Sequence, residues 1–171
     1  MDSRQLTCIL RSGEYTSKVF RGVYALNRIN LCQGPGLYIC NTHPSHLPGE
    51  HWIAIGIYEN NTGEYFDSFG LPPMKEEFLD FLNKNTDDWT YNKQCIQHPL
   101  STVCGHYCLI YGLYYARGLS MSKMLYVFDE DLFNNDIIVH DFVCSTFNVN
   151  APLIDVDMIV NQIGYNMYVY M

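Results

Sequence analysis

Basic side chains are scarce in this chain. Ten Lys and Arg stand against eighteen Asp and Glu, a formal net charge of −8, and no stretch gathers the cations into a cluster. A surface of that sign repels phosphate backbones, which argues against general nucleic-acid binding. Long apolar runs are missing too. The longest, 108–116, is interrupted by Gly112 and falls far short of the about 20 residues of a membrane-crossing helix. Met1-Asp2-Ser3-Arg4 leads into polar, mixed sequence without an apolar signal-peptide core, so export is not expected. There is also no disulfide framework. The seven cysteines are odd in number and irregular in spacing, which points to free thiols in a reducing, intracellular compartment. Finally, no repeat, low-complexity tract or linker divides the sequence, and residues 1–171 are expected to form a single domain.

What the chain has in quantity is core material. Hydrophobic residues make up 48%, with 14 Tyr and 9 Phe, ample for a packed interior and against disorder. The first 30 residues read as two short mixed segments broken at Gly13 and Gly22. Turn-rich stretches at 33–36 and 42–49 flank a short buried strand over 37–40. Trp52-Ile53-Ala54-Ile55-Gly56-Ile57-Tyr58 is a continuous apolar run of strand length, expected where both faces are covered. Asn60-Asn61-Thr62-Gly63 is turn chemistry, and Glu64-Tyr65-Phe66-Asp67 returns as the second strand of a hairpin. Pro72-Pro73 predicts a helix over 74–84 with Phe78, Leu79, Phe81 and Leu82 inward. Alternation at Trp89, Tyr91 and Cys95 predicts a third strand ending near Gln97.

Ser101 or Thr102 can cap the next helix, 104–117, which stops at Gly118. It is apolar nearly all round, as a central buried helix should be. Ser120 or Ser122 opens a further helix, and another covers 132–144. The apolar, aromatic segment 151–171 is expected to pack on the core, as helix or strand.

The chemistry gathers at the start of that central helix. A thiol is mostly protonated at neutral pH, and unpaired N–H groups with the helix dipole favour the thiolate that attacks carbonyls. Cys104 has that position, followed by Gly105, which permits close approach of a substrate backbone. His51 lies at the mouth of the apolar strand, where it can act as a base, and Asp67 ends the paired strand, where it can orient the imidazole. The hairpin itself brings 51 and 67 together. Gln97 precedes Cys104 by seven residues across a turn at Pro99, so its amide can face the same carbonyl as the Cys104 N–H, as an oxyanion donor. Trp52 reads either as a shield over the His–Asp pair or as plain core.

His51-Trp52, Tyr65-Phe66-Asp67-Ser68-Phe69-Gly70 and Gln97-His98-Pro99-Leu100-Ser101-Thr102-Val103-Cys104-Gly105 together resemble the His, Asp/Glu, Gln and Cys-Gly motifs of the adenovirus-type (adenain-like) cysteine protease family, which is related to the ubiquitin-like (SUMO-specific) proteases. The Gln-to-Cys gap and Pro99 are the more adenoviral features, and the His-Trp and Asp-Ser pairs are similar to the SUMO-specific side. Phe20-Arg21-Gly22-Val23-Tyr24 resembles an opening motif of proteases from virus-like mobile elements. The resemblance runs from about residue 20 to 118.

It implies an α+β, papain-like/adenain-like fold: a central helix carrying Cys104, packed on a mixed sheet that carries His51 and Asp67 and flanked by helices. It implies an endopeptidase acting through a Cys104–His51–Asp67 triad with Gln97 at the oxyanion hole, on viral precursor proteins at glycine-containing sites. An isopeptidase for ubiquitin-like conjugates, or an inactive binding module of the same fold, is the alternative. The implied partners are a polypeptide substrate and, in adenoviral members, DNA and a small activating peptide; the −8 charge argues against DNA here. A monomer acting in host cytoplasm, nucleus or virion is expected, with no cofactor.

Two rivals were weighed. Cys95, His98, Cys104, His106 and Cys108 fall within fourteen residues, but their gaps match no common zinc pattern, and no metal site is expected from them. Cys108 is the competing nucleophile; one helical turn deeper, it is expected in the core.

Overall fold

The computed structural model describes residues 1–31, 34–149 and 153. The expectation for 151–171 lies outside the described residues, apart from Leu153. The architecture is α+β, a mixed five-stranded sheet in the order β1-β2-β3-β4-β5 with helices on both faces. The strands are β1 (Phe20–Ala25), β2 (Gly36–Asn41), β3 (Trp52–Ile57), β4 (Thr62–Phe66) and β5 (Asp88–Tyr91). The two outer pairs, β1–β2 and β4–β5, are parallel, and β2–β3 and β3–β4 are antiparallel. The helices are α1 (Ser3–Ser12), α2 (Thr16–Val19), α3 (Glu76–Asn85), α4 (Cys104–Tyr115), α5 (Met121–Leu125) and α6 (Leu132–Phe147), with a 3₁₀ segment Leu26–Leu31.

Side chains alternate across the sheet, as a pleated strand requires. Leu37, Ile39, Ala54 and Phe66 join the core under α1, α4 and α6. Tyr38, Cys40, Ile53, Ile55, Ile57 and Tyr65 join a second core under α3 and the 3₁₀ segment. Burial on both faces explains why β2 and β3 read as unbroken apolar runs.

Helix α4 lies along β3 in the same direction. Gly105 sits against Trp52 at one end, and Tyr111 and Tyr115 sit over Gly56 at the other. Four strand residues and six to ten helical ones each span roughly 10–15 Å, so the two elements stay in step. Gly56 has no Cβ because there is no room for one: it would lie 2.4 Å from the Tyr111 hydroxyl and 2.6 Å from the Tyr115 ring.

Several local expectations change. The break expected at Gly13 is the end of helix α1, which opens with Asp2 and Gln5 in a reciprocal capping box. Gly22 does not break the chain; with φ 152° it sits at a register shift inside β1. Helix α3 starts at Glu76 rather than 74, and Leu79 is only half-buried. Strand β5 stops at Tyr91, because Asn92 turns its amide back onto the main chain of Asp67, donating to the Asp67 carbonyl at 2.6 Å. Helix α4 is capped by neither Ser101 nor Thr102. Val103 precedes its first turn without a side-chain cap, and Thr102 is tied instead to the Leu153 carbonyl.

Candidate active site

The hairpin of β3 and β4 sets the site. Ala54 pairs with Phe66, so beyond the last paired residues His51 comes opposite the turn that begins at Asp67. That turn is fixed by Gly70, whose N–H reaches the Asp67 carbonyl at 2.8 Å and whose φ of 71° favours glycine. A Cβ there would also run into the backbone of Gln94. The Asp67 carboxylate accepts from the Phe69 N–H at 2.8 Å, and its backbone N–H donates to Asn92 at 2.9 Å. The carboxylate is therefore aimed before the imidazole meets it.

His51 Nε2 donates to Asp67 Oδ1 at 2.9 Å, and both groups are largely buried. Phe69 stacks on the imidazole at 4.8 Å between centroids. With Nε2 committed to Asp67, the nitrogen left for a thiol is Nδ1, and Cys104 is hydrogen-bonded to this ring. Burial alone would lower the His51 pKa. The hydrogen bonds to Asp67 and Cys104 and their negative charges outweigh it, raising the pKa to about 10. Burial pushes the Cys104 thiol up, but the His51 hydrogen bond and charge, with backbone hydrogen bonds at Trp52 and Gly105, bring it below its ordinary value. Both shifts favour the charged forms, thiolate at Cys104 and imidazolium at His51, with the carboxylate behind the imidazole.

The missing side-chain cap on α4 belongs to the same arrangement. The N–H groups of a first helical turn have no partner inside the helix, and here none is taken by a capping side chain. The His106 N–H donates to the Val103 carbonyl at 2.9 Å, and those of Cys104 and Gly105 remain to face an anion at Cys104. A Cβ on Gly105 would lie 3.3 Å from the Trp52 ring, which donates its indole N–H to the Met1 carbonyl at 3.1 Å.

Gln97 reaches the same cleft, buried and firmly held. Its Oε1 accepts from the Ser68 hydroxyl, and its Nε2 donates to the Ser101 carbonyl at 3.0 Å and to the Ser101 hydroxyl at 3.1 Å. Both amide hydrogens thus point to Ser101. Cys108, fully buried one turn along α4, has its thiol pushed up by burial and by the charge of Cys104. The zinc rival does not assemble: Cys95 is exposed and donates to Gln97, and His98 meets the Phe133 ring.

Two residues that position the site carry no sequence signal strong enough to find them. Asn41, ending β2, accepts from the N–H groups of His43 and Glu50 and so pins the loop that delivers His51. Asp136, buried on α6, accepts from the Tyr107 hydroxyl at 2.8 Å and the His98 N–H at 3.1 Å, and is hydrogen-bonded to Ser101. It locks the 97–101 loop to α4 and α6. Each is an ordinary polar residue whose partners lie far away in sequence or in a loop.

His51, Asp67, Gln97 and Cys104 all line one cleft of about 970 Å³, whose rim includes the exposed Leu47, Leu71 and Met74. The class of protein so defined is an α+β domain with a cysteine, a histidine and a carboxylate joined at a helix N-terminus. Compared with known proteins, the chain matches no family model and no curated protein sequence.

Proposed function

We propose that the chain is a cysteine endopeptidase of adenain-like type, with the papain-like fold that its α+β architecture and residue motifs suggest. The observation that carries the proposal is the linked geometry of Cys104, His51 and Asp67 at the open mouth of the cleft.

The thiolate attacks the scissile carbonyl carbon and forms a C–S bond. The carbonyl oxygen becomes an oxyanion that accepts from the Cys104 N–H, and from Gln97 once one of its hydrogens turns away from the Ser101 hydroxyl. His51 gives its Nδ1 proton to the departing amine as the C–N bond breaks, leaving a thioester. Water, deprotonated by His51, then attacks the thioester; the C–S bond breaks, the acid leaves, and the thiolate and protonated His51 are restored. Asp67 holds the ring in the needed orientation throughout. The apolar rim suits a polypeptide, a viral precursor or a ubiquitin-like conjugate, met inside a host cell or virion, with an activating peptide as a further partner.

The test is a peptide library profiled with the wild-type chain, Cys104→Ala and Cys108→Ala in parallel. Cys104→Ala is expected to abolish cleavage and probe labelling, and Cys108→Ala to affect stability more than turnover. Equal loss from both would remove the assignment of the nucleophile. The same library separates preference for an internal glycine site from preference for a Gly-Gly C-terminus.

A further inference from the structure

Away from the cleft, α6 carries His140 and Cys144 one helical turn apart, and both face His106 on α4. The Cys144 sulfur lies 3.6 Å from His140 Nε2 and 4.0 Å from His106 Nε2, and the donor atoms of all three residues fall within 4.8 Å of one another. A tetrahedral zinc with Zn–N of about 2.0–2.1 Å and Zn–S of about 2.3 Å sets its nitrogen and sulfur donors roughly 3.5 Å apart. The cluster is therefore close to metal-binding size without rearrangement of either helix.

Two further observations point to a ligand. His106 is fully buried, and its Nε2 lies 4.0 Å from the Cys144 sulfur, the one partner that nitrogen has among the described residues. A buried ring nitrogen held by so long a contact is weakly satisfied, and a metal ion between the two would hold both. His140, for its part, has Nδ1 at 3.1 Å from the Asp141 carboxylate and Nε2 at 3.6 Å from the Cys144 sulfur. A carboxylate behind a histidine in this way fixes the tautomer and raises the basicity of a metal ligand.

We propose that His106, His140 and Cys144 form a binding site for a divalent transition metal of zinc type, separate from the peptidase centre. Cys144 gives up its proton on binding, and water completes a four-coordinate shell. The ion clamps α6 to α4, the helix that presents Cys104. The site was hidden in the sequence because its donors are split between residues 106 and 140–144.

The experiment titrates the metal-stripped full chain with Co²⁺ under reducing conditions. One equivalent is expected, with visible bands of four-coordinate Co²⁺ and a near-ultraviolet thiolate-to-metal band, both displaced by Zn²⁺. Cys144→Ser should lose the thiolate band, His140→Gln should weaken binding at least about ten-fold, and Cys104→Ser should behave as wild type. Zn²⁺ should raise the melting temperature of wild type but not that of Cys144→Ser. The two α6 variants remove different donors, and circular dichroism verifies the fold of each, so either one alone suffices. A wild-type chain that takes up no metal, a thiolate band that survives in Cys144→Ser, an affinity unchanged in His140→Gln, or a band that disappears with Cys104→Ser would overturn the site.

Discussion

At Cys104 two opposing effects meet. Withdrawal from water favours the neutral thiol, while the His51 hydrogen bond and charge and the helix start favour the anion, and the anion wins. For His51, whose pKa is raised from 6.5 to about 10, the stabilising contribution is full below 6.5 and is lost as pH rises through about 10. For Cys104, lowered from 9.0, the contribution is present above 9.0 and fades as pH falls through the lower folded value. The expected kcat/KM profile is a bell, with an acid limb where the thiolate is protonated and an alkaline limb near pH 10 where the imidazolium is lost. His51→Ala should move the midpoint of Cys104 alkylation upward and reduce turnover by about 10²–10⁴-fold. An unchanged midpoint would show that the imidazole does not act on the sulfur.

Among the elements, the pairing of α4 with β3 decides where the sulfur stands. Gly56→Ala would drive a methyl into Tyr111 and Tyr115 and push the helix off the strand. A loss of about 1–3 kcal/mol in urea unfolding is expected, with a fall in kcat as Cys104 moves from His51. The β3–β4 hairpin and α4 are legible because their signals are local: an apolar run, the turn residues Asn60-Asn61-Thr62-Gly63, and a helix apolar all round, which ends at Tyr115, two residues before the expected 117. The cap of α4 was misjudged for a physical reason. Ser101 and Thr102 suit a cap by residue type, but the tertiary fold engages them with Gln97 and Leu153. Helix α1 carried a readable box in Asp2 and Gln5, whose short polar surroundings hid it.

Taken as a whole, the molecule is acidic, and its cations are dispersed. Duplex DNA added at low salt is expected to leave the rate of the proposed peptidase unchanged, since the few Lys and Arg are not gathered in the sequence to release counterions from the duplex. A salt-sensitive stimulation by DNA would contradict that expectation. The two helical layers also divide the labour. The face under α3 and the 3₁₀ segment is apolar core. The face under α4 holds Cys104, the Asp136 network and the His106–His140–Cys144 cluster.

The sequence by itself determined the hairpin and the central helix and singled out Cys104, His51, Asp67 and Gln97 as candidates, because periodicity, turn residues and motif order are properties of neighbouring residues. Only the tertiary structure decided which imidazole nitrogen meets Asp67, that Gln97 donates to Ser101, and that Asn41 and Asp136 hold the loops. Those outcomes depend on contacts across 4 to 38 residues of chain, set by strand register and helix packing that no local pattern encodes.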